Sequence, residues 1–485
     1  MRKNLIFVFA LLIFFSGYPF EGYGQPGNSS KIYYVSPSGD DLHPGSMEKP
    51  WKKPGYASKK LKAGDTLVIR SGEYFMEEFD VDMITLENSG TKDAWIFIKG
   101  EEGKRPVIKG RKNLLAAIDI SGRNYIRIEN LEITGDLDKP YSGGLREGID
   151  AGGSADPEKG AVSNVIFRDI EVHHVEEGGI NFAGNIQDVL LDRVHVHHAA
   201  GFGIGGPSAG SGRGWERVKI ANCLLEYMGF FSHGKEERTE NDRPDGLGME
   251  ASEGPLEVAN TISRYNLGDG LDSKSRNTYI HHCLVANNYG DGVKLWGTKS
   301  RVENTLIFGT GFTTPSLGTP WQLITIDTED KSASFELNHV TIFDDPRRAN
   351  QHYPMTVQYD NRNIQVKLVL KNSIISGLSR VFISGNVDLQ MQNNIFFNRK
   401  DGDDVQLEID GKKEYSPKDL PLIGTGNKFA DPAFVTPSWG ADGNFHLRDG
   451  SPGIDQATSQ GFPPDDLDGK KRPIGKGADI GAYEK

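Results

Sequence analysis

A chain of 485 residues with 67 Asp and Glu against 55 Lys and Arg carries a formal charge of −12, and 59 of its residues are glycine. Average glycine usage is about 7%, yet no collagen-like or low-complexity period accompanies the excess, and the 36% apolar fraction is enough for a sizeable core. Disorder and fibres are excluded on composition, and an acidic chain without a basic stripe lacks the phosphate-neutralising Lys and Arg that DNA or RNA binding requires.

The chain starts with Met1-Arg2-Lys3, an apolar run over 5–15, and small residues at Gly22 and Gly24 ahead of Gln25. This is the pattern of a secretory signal peptide, residues 1–24. The run is too short to span about 30 Å of hydrocarbon, and no cysteine follows it to carry a lipid. The expectation is an exported protein, extracellular or periplasmic, with no stable membrane anchor. Residues 25–110 read as an N-terminal cap with the first coils, including a candidate helix near Tyr56 to Leu61. The catalytic body follows over 111–425 and a C-terminal cap over 426–485, so that 25–485 form one structural domain, read as a monomer.

The body carries a repeat. The phrases 126–133 (IRIENLEI), 165–172 (VIFRDIEV) and 189–196 (VLLDRVHV) alternate with period two, the spacing of side chains on a strand. The phrase returns around Asn222, Asn260, His282, Asn304, Asn338, Asn372 and Asn393, at separations as short as 22 residues. That is too short for a βαβ unit of about 30 residues or more and for a propeller blade of about 40. Short strands stacked coil on coil give an all-β parallel β-helix, a solenoid of roughly ten coils. Cys223 and Cys283 fall at one position of the repeat with a coil between them, which separates them by about 9–10 Å at a strand spacing of about 4.8 Å. No disulfide spans that distance, so both read as buried thiols.

Between 145 and 297 a second phrase recurs, Gly followed by an apolar residue: Gly148-Ile149, Gly179-Ile180, Gly203-Ile204, Gly246-Leu247, Gly270-Leu271 and Gly292-Val293. Aligned on that Gly, the preceding column runs Glu147, Gly178, Phe202, Asp245, Asp269, Asp291, and the column two residues after runs Asp150, Asn181, Gly205, Gly248, Asp272, Lys294. Strand alternation turns Leu271 and Val293 inward and Asp272 and Lys294 outward. Asp245, Asp269 and Asp272 then surround one surface spot beside Lys294, and Glu250, Lys274 and Trp296 continue the outward face. Crowded carboxylates repel unless a cation sits among them, and oxygen donors without His or Cys suit calcium. A lysine beside such an ion is a candidate general base. A calcium that also grips a uronate makes the proton on the adjacent carbon removable, the arrangement for β-elimination of an acidic polysaccharide.

Together with Tyr33-Tyr34-Val35-Ser36-Pro37-Ser38-Gly39-Asp40-Asp41 and Ala63-Gly64-Asp65-Thr66, the phrases Asp245-Gly246, Gly268-Asp269-Gly270-Leu271-Asp272 and Gly292-Val293-Lys294-Leu295 resemble polysaccharide lyase family 9 over most of the chain. The resemblance implies a secreted, pectate-lyase-like right-handed parallel β-helix, calcium held by Asp245, Asp269 and Asp272, and Lys294 as base. Where the family typically has two adjacent aspartates this chain has Gly268 before Asp269, which leaves room for Glu250 to complete the site. Trp296 stands where a small residue is expected.

Asp291 and Lys274 are further candidates for metal or substrate, and Lys274 is also a rival base, with Glu250 as its partner. Arg213, Arg243 and Arg264 are candidate carboxylate clamps, and Trp215 and Trp321 are sugar-stacking walls or loop covers. His173-His174 and His197-His198 align in adjacent coils and read as a stacked polar ladder in preference to a transition-metal site. Two other functions stay open: an inverting glycoside hydrolase using Asp245 with Asp269 or Asp272 at about 6.5–9.5 Å, and a non-catalytic glycan-binding surface protein.

Overall fold

The computed structural model describes residues 30–485 except 136–142, 153–156, 209–211, 233–234, 237–243, 311–321, 345–352, 359–362, 401, 411–412, 420–423, 439–442 and 459. The period-two phrases form parallel strands that wind into a single solenoid. Most coils contribute one strand to a 13-stranded sheet and two strands, either side of a sharp corner, to a 24-stranded sheet; in Asn124–Thr134 and Val162–His173 the two run on as one. One coil shows the plan: Leu271–Ser275, then Thr278–His281, a corner at His282, then Leu284–Asn288.

The corner explains the recurring asparagine. Asn222, Asn260, His282, Asn304, Asn372 and Asn393 all have φ between 49° and 57°, the left-handed region that Asn tolerates better than most residues because its short polar side chain bonds locally. In one coil the corner falls at His339, φ 54°, rather than at Asn338. The 13-stranded sheet holds twelve strands in parallel succession, from Ile84–Thr85 to Leu407–Ile409, ahead of a final antiparallel strand, Lys413–Tyr415. That exceeds the roughly ten coils expected. The extra turns lie in the N-terminal region, where Ile32–Val35 already pairs in parallel with Thr66–Ile69 and that strand with Ile96–Gly100. Irregular connections hide the period there.

The short helix of the N-terminal region is Pro54–Ser58, with Pro at its start, where a fixed φ and a missing N–H cost nothing. Inward side chains stack as columns through the solenoid, among them Ile280, Val302 and Leu337, all fully buried. Cys223 and Cys283 belong to this core as free thiols, and burial pushes both up to about 12. Toward its end the chain folds back along the corner column: Asn304 donates to the Asp465 carbonyl at 2.8 Å and Asn338 to that of Gly461 at 3.1 Å. Phe434, Phe445, Leu447 and Ile480 form a second core against Phe308, Phe343 and Ile374 on the outer face of the coils.

Candidate active site

The Gly-apolar phrase marks a close approach between successive coils. A Cβ on Gly270 would lie 2.6 Å from the Gly292 carbonyl oxygen and 2.6 Å from Val285 Cγ1, closer than packed atoms tolerate. Gly270→Ala is expected to destabilise the chain by about 1–3 kcal/mol through overpacking and to cost activity as well, because Asp269 and Asp272 flank the displaced backbone. A urea midpoint and a rate measured on the same preparation check both effects.

The acidic column ahead of each Gly ties one coil to the next. The Asp269 N–H donates to Asp245 Oδ1 at 2.6 Å, the Asp291 N–H to Asp269 Oδ1 at 2.6 Å, and the Gln322 N–H to Asp291 Oδ1 at 2.9 Å. One oxygen of each carboxylate thus serves the solenoid. The register sets Asp272 opposite Lys294 and Lys294 opposite Thr325, so Lys294 Nζ reaches Asp272 Oδ2 at 3.2 Å and Asp269 Oδ2 at 3.3 Å. The ammonium lies 5.9 Å from the Trp296 ring centroid.

The electrostatics follow from burial. Asp269 is 5% exposed and Asp272 6%. Burial and then the Asp269 charge raise Asp272 to about 6. Asp245 is driven well above the usual carboxylate range by burial and by Asp269 and Asp272, and Asp291 by burial and Asp269. Burial pulls Lys294 down, but Asp269, Asp272 and Asp291 outweigh it and hold the ammonium above its ordinary value. Carboxylate oxygens of Asp245, Asp269 and Asp272 all lie within 4.8 Å of one another, and Asp272 Oδ1 is buried with no hydrogen-bond partner. Three converging hard donors, one of them unsatisfied, fit a calcium ion.

The structure thus brings Asp245, Asp269, Asp272, Asp291 and Lys294 together, with Trp296 beside them. Glu250 and Lys274 lie further along the same face and pair with each other, which engages the carboxylate that the Gly268 position had left room for. Arg264 is in the other sheet, donating to Glu226 Oε2 at 2.8 Å, and Arg213 pairs with Glu216 on an exposed turn. Trp215 is core, fully buried with its Nε1 donating to the Phe182 carbonyl at 3.1 Å. Arg243 and Trp321 lie outside the described residues. The same two columns hold a second acidic pair, Glu147 and Asp150, four strands from Asp272 on the same face. Burial and then Asp150 raise Glu147 to about 8, and burial and then Asp119 raise Asp150 to about 6. The signal for them was their place in the two acidic columns.

A single-chain solenoid of three-strand coils, with an ordered ladder of acids on one sheet, is a right-handed parallel β-helix protein. The model of the "Pel9A-like, right handed beta helix region" matches residues 33–314, more than half of the chain, and the chain belongs to that family. The crystal structure of pectate lyase Pel9A aligns over 94% of this chain and 97% of its own at 14% identity, with a TM-score of 0.47. The complex structure of XylC with xylose aligns over 93% and 98% at 11% identity, with a TM-score of 0.54, which shows a shared fold. A curated relative, the uncharacterized protein YwoF of Bacillus subtilis (strain 168), is 39% identical over 82 residues. That match spans 17% of this chain and 16% of the relative.

Proposed function

We propose that this chain is an exported polysaccharide lyase that cleaves a uronic-acid-containing polysaccharide, pectate or rhamnogalacturonan-like, by calcium-assisted β-elimination, with Lys294 as the general base. The observation that carries the reading is the seating of Lys294 Nζ 3.2–3.3 Å from Asp272 and Asp269, inside a cluster of three carboxylates suited to a hard cation. A calcium ion held by Asp245, Asp269 and Asp272 supplies neutralisation of those carboxylates and electron withdrawal from a substrate carboxylate.

The protein's own residues do the rest. Lys294, as the neutral amine, takes the proton from the carbon bearing the carboxylate, and the electron pair left behind forms the double bond as the glycosidic oxygen departs from the neighbouring carbon and takes up a proton from water. Trp296 offers an apolar surface beside the base. The rival hydrolase has no use for an ammonium 3.2–3.3 Å from two of its carboxylates, and one oxygen from each aspartate converges within 4.8 Å, an arrangement suited to a shared cation more than to the wider gap of an inverting pair.

Digestion of pectic and other uronic-acid polysaccharides, with and without calcium, tests the reading. The expected product is an unsaturated uronide, seen by its ultraviolet absorbance. Saturated products with one water incorporated per cut would replace elimination with hydrolysis.

A further inference from the structure

A second cluster of ligating side chains lies on the 24-stranded sheet, away from the sheet that carries Lys294. The strands Asn124–Thr134, Val162–His173 and His195–His197 run side by side, with Glu132 opposite Glu171 and Glu171 opposite His195, and with Thr134 opposite His173 and His173 opposite His197. Residues two apart on a strand share a face, so Glu132, Glu171, His173, His195 and His197 form one patch on three successive coils. The rings of His173 and His197 stack with centroids 4.8 Å apart and planes within 5°, and those of His174 and His198 stack at 5.1 Å. This is the ladder expected from the sequence.

Two features go beyond a ladder. The Nδ1 of His173 lies 2.6 Å from Nδ1 of His174, and that of His197 2.7 Å from Nδ1 of His198. With Nδ1 engaged, Nε2 of each ring turns to a carboxylate: His197 to Glu171 Oε1 at 3.2 Å, and His173 to Glu132 Oε1 at 3.4 Å. One donor atom each from Glu171, His173 and His197 then fall within 4.8 Å of one another. Arg105 Nη1 holds the other Glu171 oxygen at 2.8 Å, and His195 Nε2 turns to Glu226 Oε1 at 3.2 Å.

We infer that Glu171, His173 and His197 bind a divalent transition ion of the zinc class, with Glu132 positioned as a fourth donor. Imidazole nitrogen with carboxylate oxygen is a zinc-type donor set, in contrast to the all-carboxylate cluster at Lys294. A ligating histidine needs its second nitrogen held by a partner, and His174 and His198 do this for both rings. Arg105 pairs with Glu171 and Arg264 with Glu226, so that of the three carboxylates Glu132, Glu171 and Glu226 one negative charge stays in excess beside the imidazoles. Bound there, the ion clips successive coils together. His281 and His282 supply an internal control: their Nδ1 atoms meet at 2.9 Å and His281 turns to Glu257 at 3.1 Å, but the residues opposite His281 on adjacent coils are Ala259 and Glu303, so no second imidazole faces it.

The test is zinc titration of the untagged protein by calorimetry in saturating calcium, with cobalt(II) absorbance as a second probe. One zinc per chain is expected. His173→Ala and His197→Ala should each weaken it by more than about 100-fold, and His174→Ala by about 10–100-fold as the loss of an outer partner. His281→Ala and Asp269→Asn should leave it unchanged, the latter separating this site from the proposed calcium centre. Should an alanine variant fail to fold, X-ray absorption of the zinc-loaded wild type decides, with two imidazole nitrogens expected in the shell. Absence of stoichiometric zinc in the wild type, an oxygen-only shell, or full affinity in a folded His197→Ala variant would each overturn the inference.

Discussion

Lys294→Ala is expected to abolish turnover while leaving fold and substrate binding nearly intact. A general base accounts for about 10²–10⁴-fold in rate, whereas Lys294 stands on the outward face and adds nothing to the apolar core; its loss leaves Asp269 and Asp272 without their ammonium partner, so the fold of the variant should be compared in saturating calcium. Lys294→Arg should fail almost as badly, since a guanidinium with a pKa above about 12 does not accept the proton at working pH. The pH profile has a definite sign. The carboxylates around Lys294 hold its ammonium up, the neutral amine is the reactive form, and the rate should therefore climb toward alkaline pH. Steady-state rates across pH for wild type, Lys294→Ala and Lys274→Ala check this. Near-normal turnover in Lys294→Ala with loss in Lys274→Ala would move the base one coil back and two residues along the face.

The second large effect is on the metal. A chelator should abolish activity and added calcium restore it, and Asp269→Asn should raise the calcium concentration needed, because Asp269 lies within reach of both Asp245 and Asp272. Protons compete with the ion, since ligating carboxylates must be ionised. Asp272 is raised to about 6 by burial and by Asp269, so the calcium requirement should steepen as pH falls through about 6. Calcium titrations of activity at several pH values measure this. Full activity in excess chelator would remove calcium from the proposed mechanism.

Much of this was legible in the residues because a solenoid turns sequence separation into spatial neighbourhood. When the coil length is 22, residues 272 and 294 must face each other across one strand spacing, and the period-two pattern decides which side chains point out. The left-handed corner at Asn222 or Asn304 and the close approach at Gly270 are local requirements of the same kind, set by backbone sterics. The tertiary structure decided which polar atoms were already engaged. Of the two places the sequence offers Glu250, in the acid cluster or paired with Lys274, the structure takes the second, and Trp215 looked like a wall but fills the core. Arg264 belongs to the other sheet because the chain turns after it, with Tyr265 at φ 57°, before the strand of Asp272 begins at Leu271. His173 and His197 showed themselves in sequence as a ladder, and only the packing of their neighbours revealed that Nδ1 is engaged on each ring and Nε2 turned to a glutamate. Backbone periodicity is repeated in every coil and can be read locally, whereas the partner a buried oxygen or nitrogen finds depends on rotamers and on adjacent coils, which one-dimensional order does not contain.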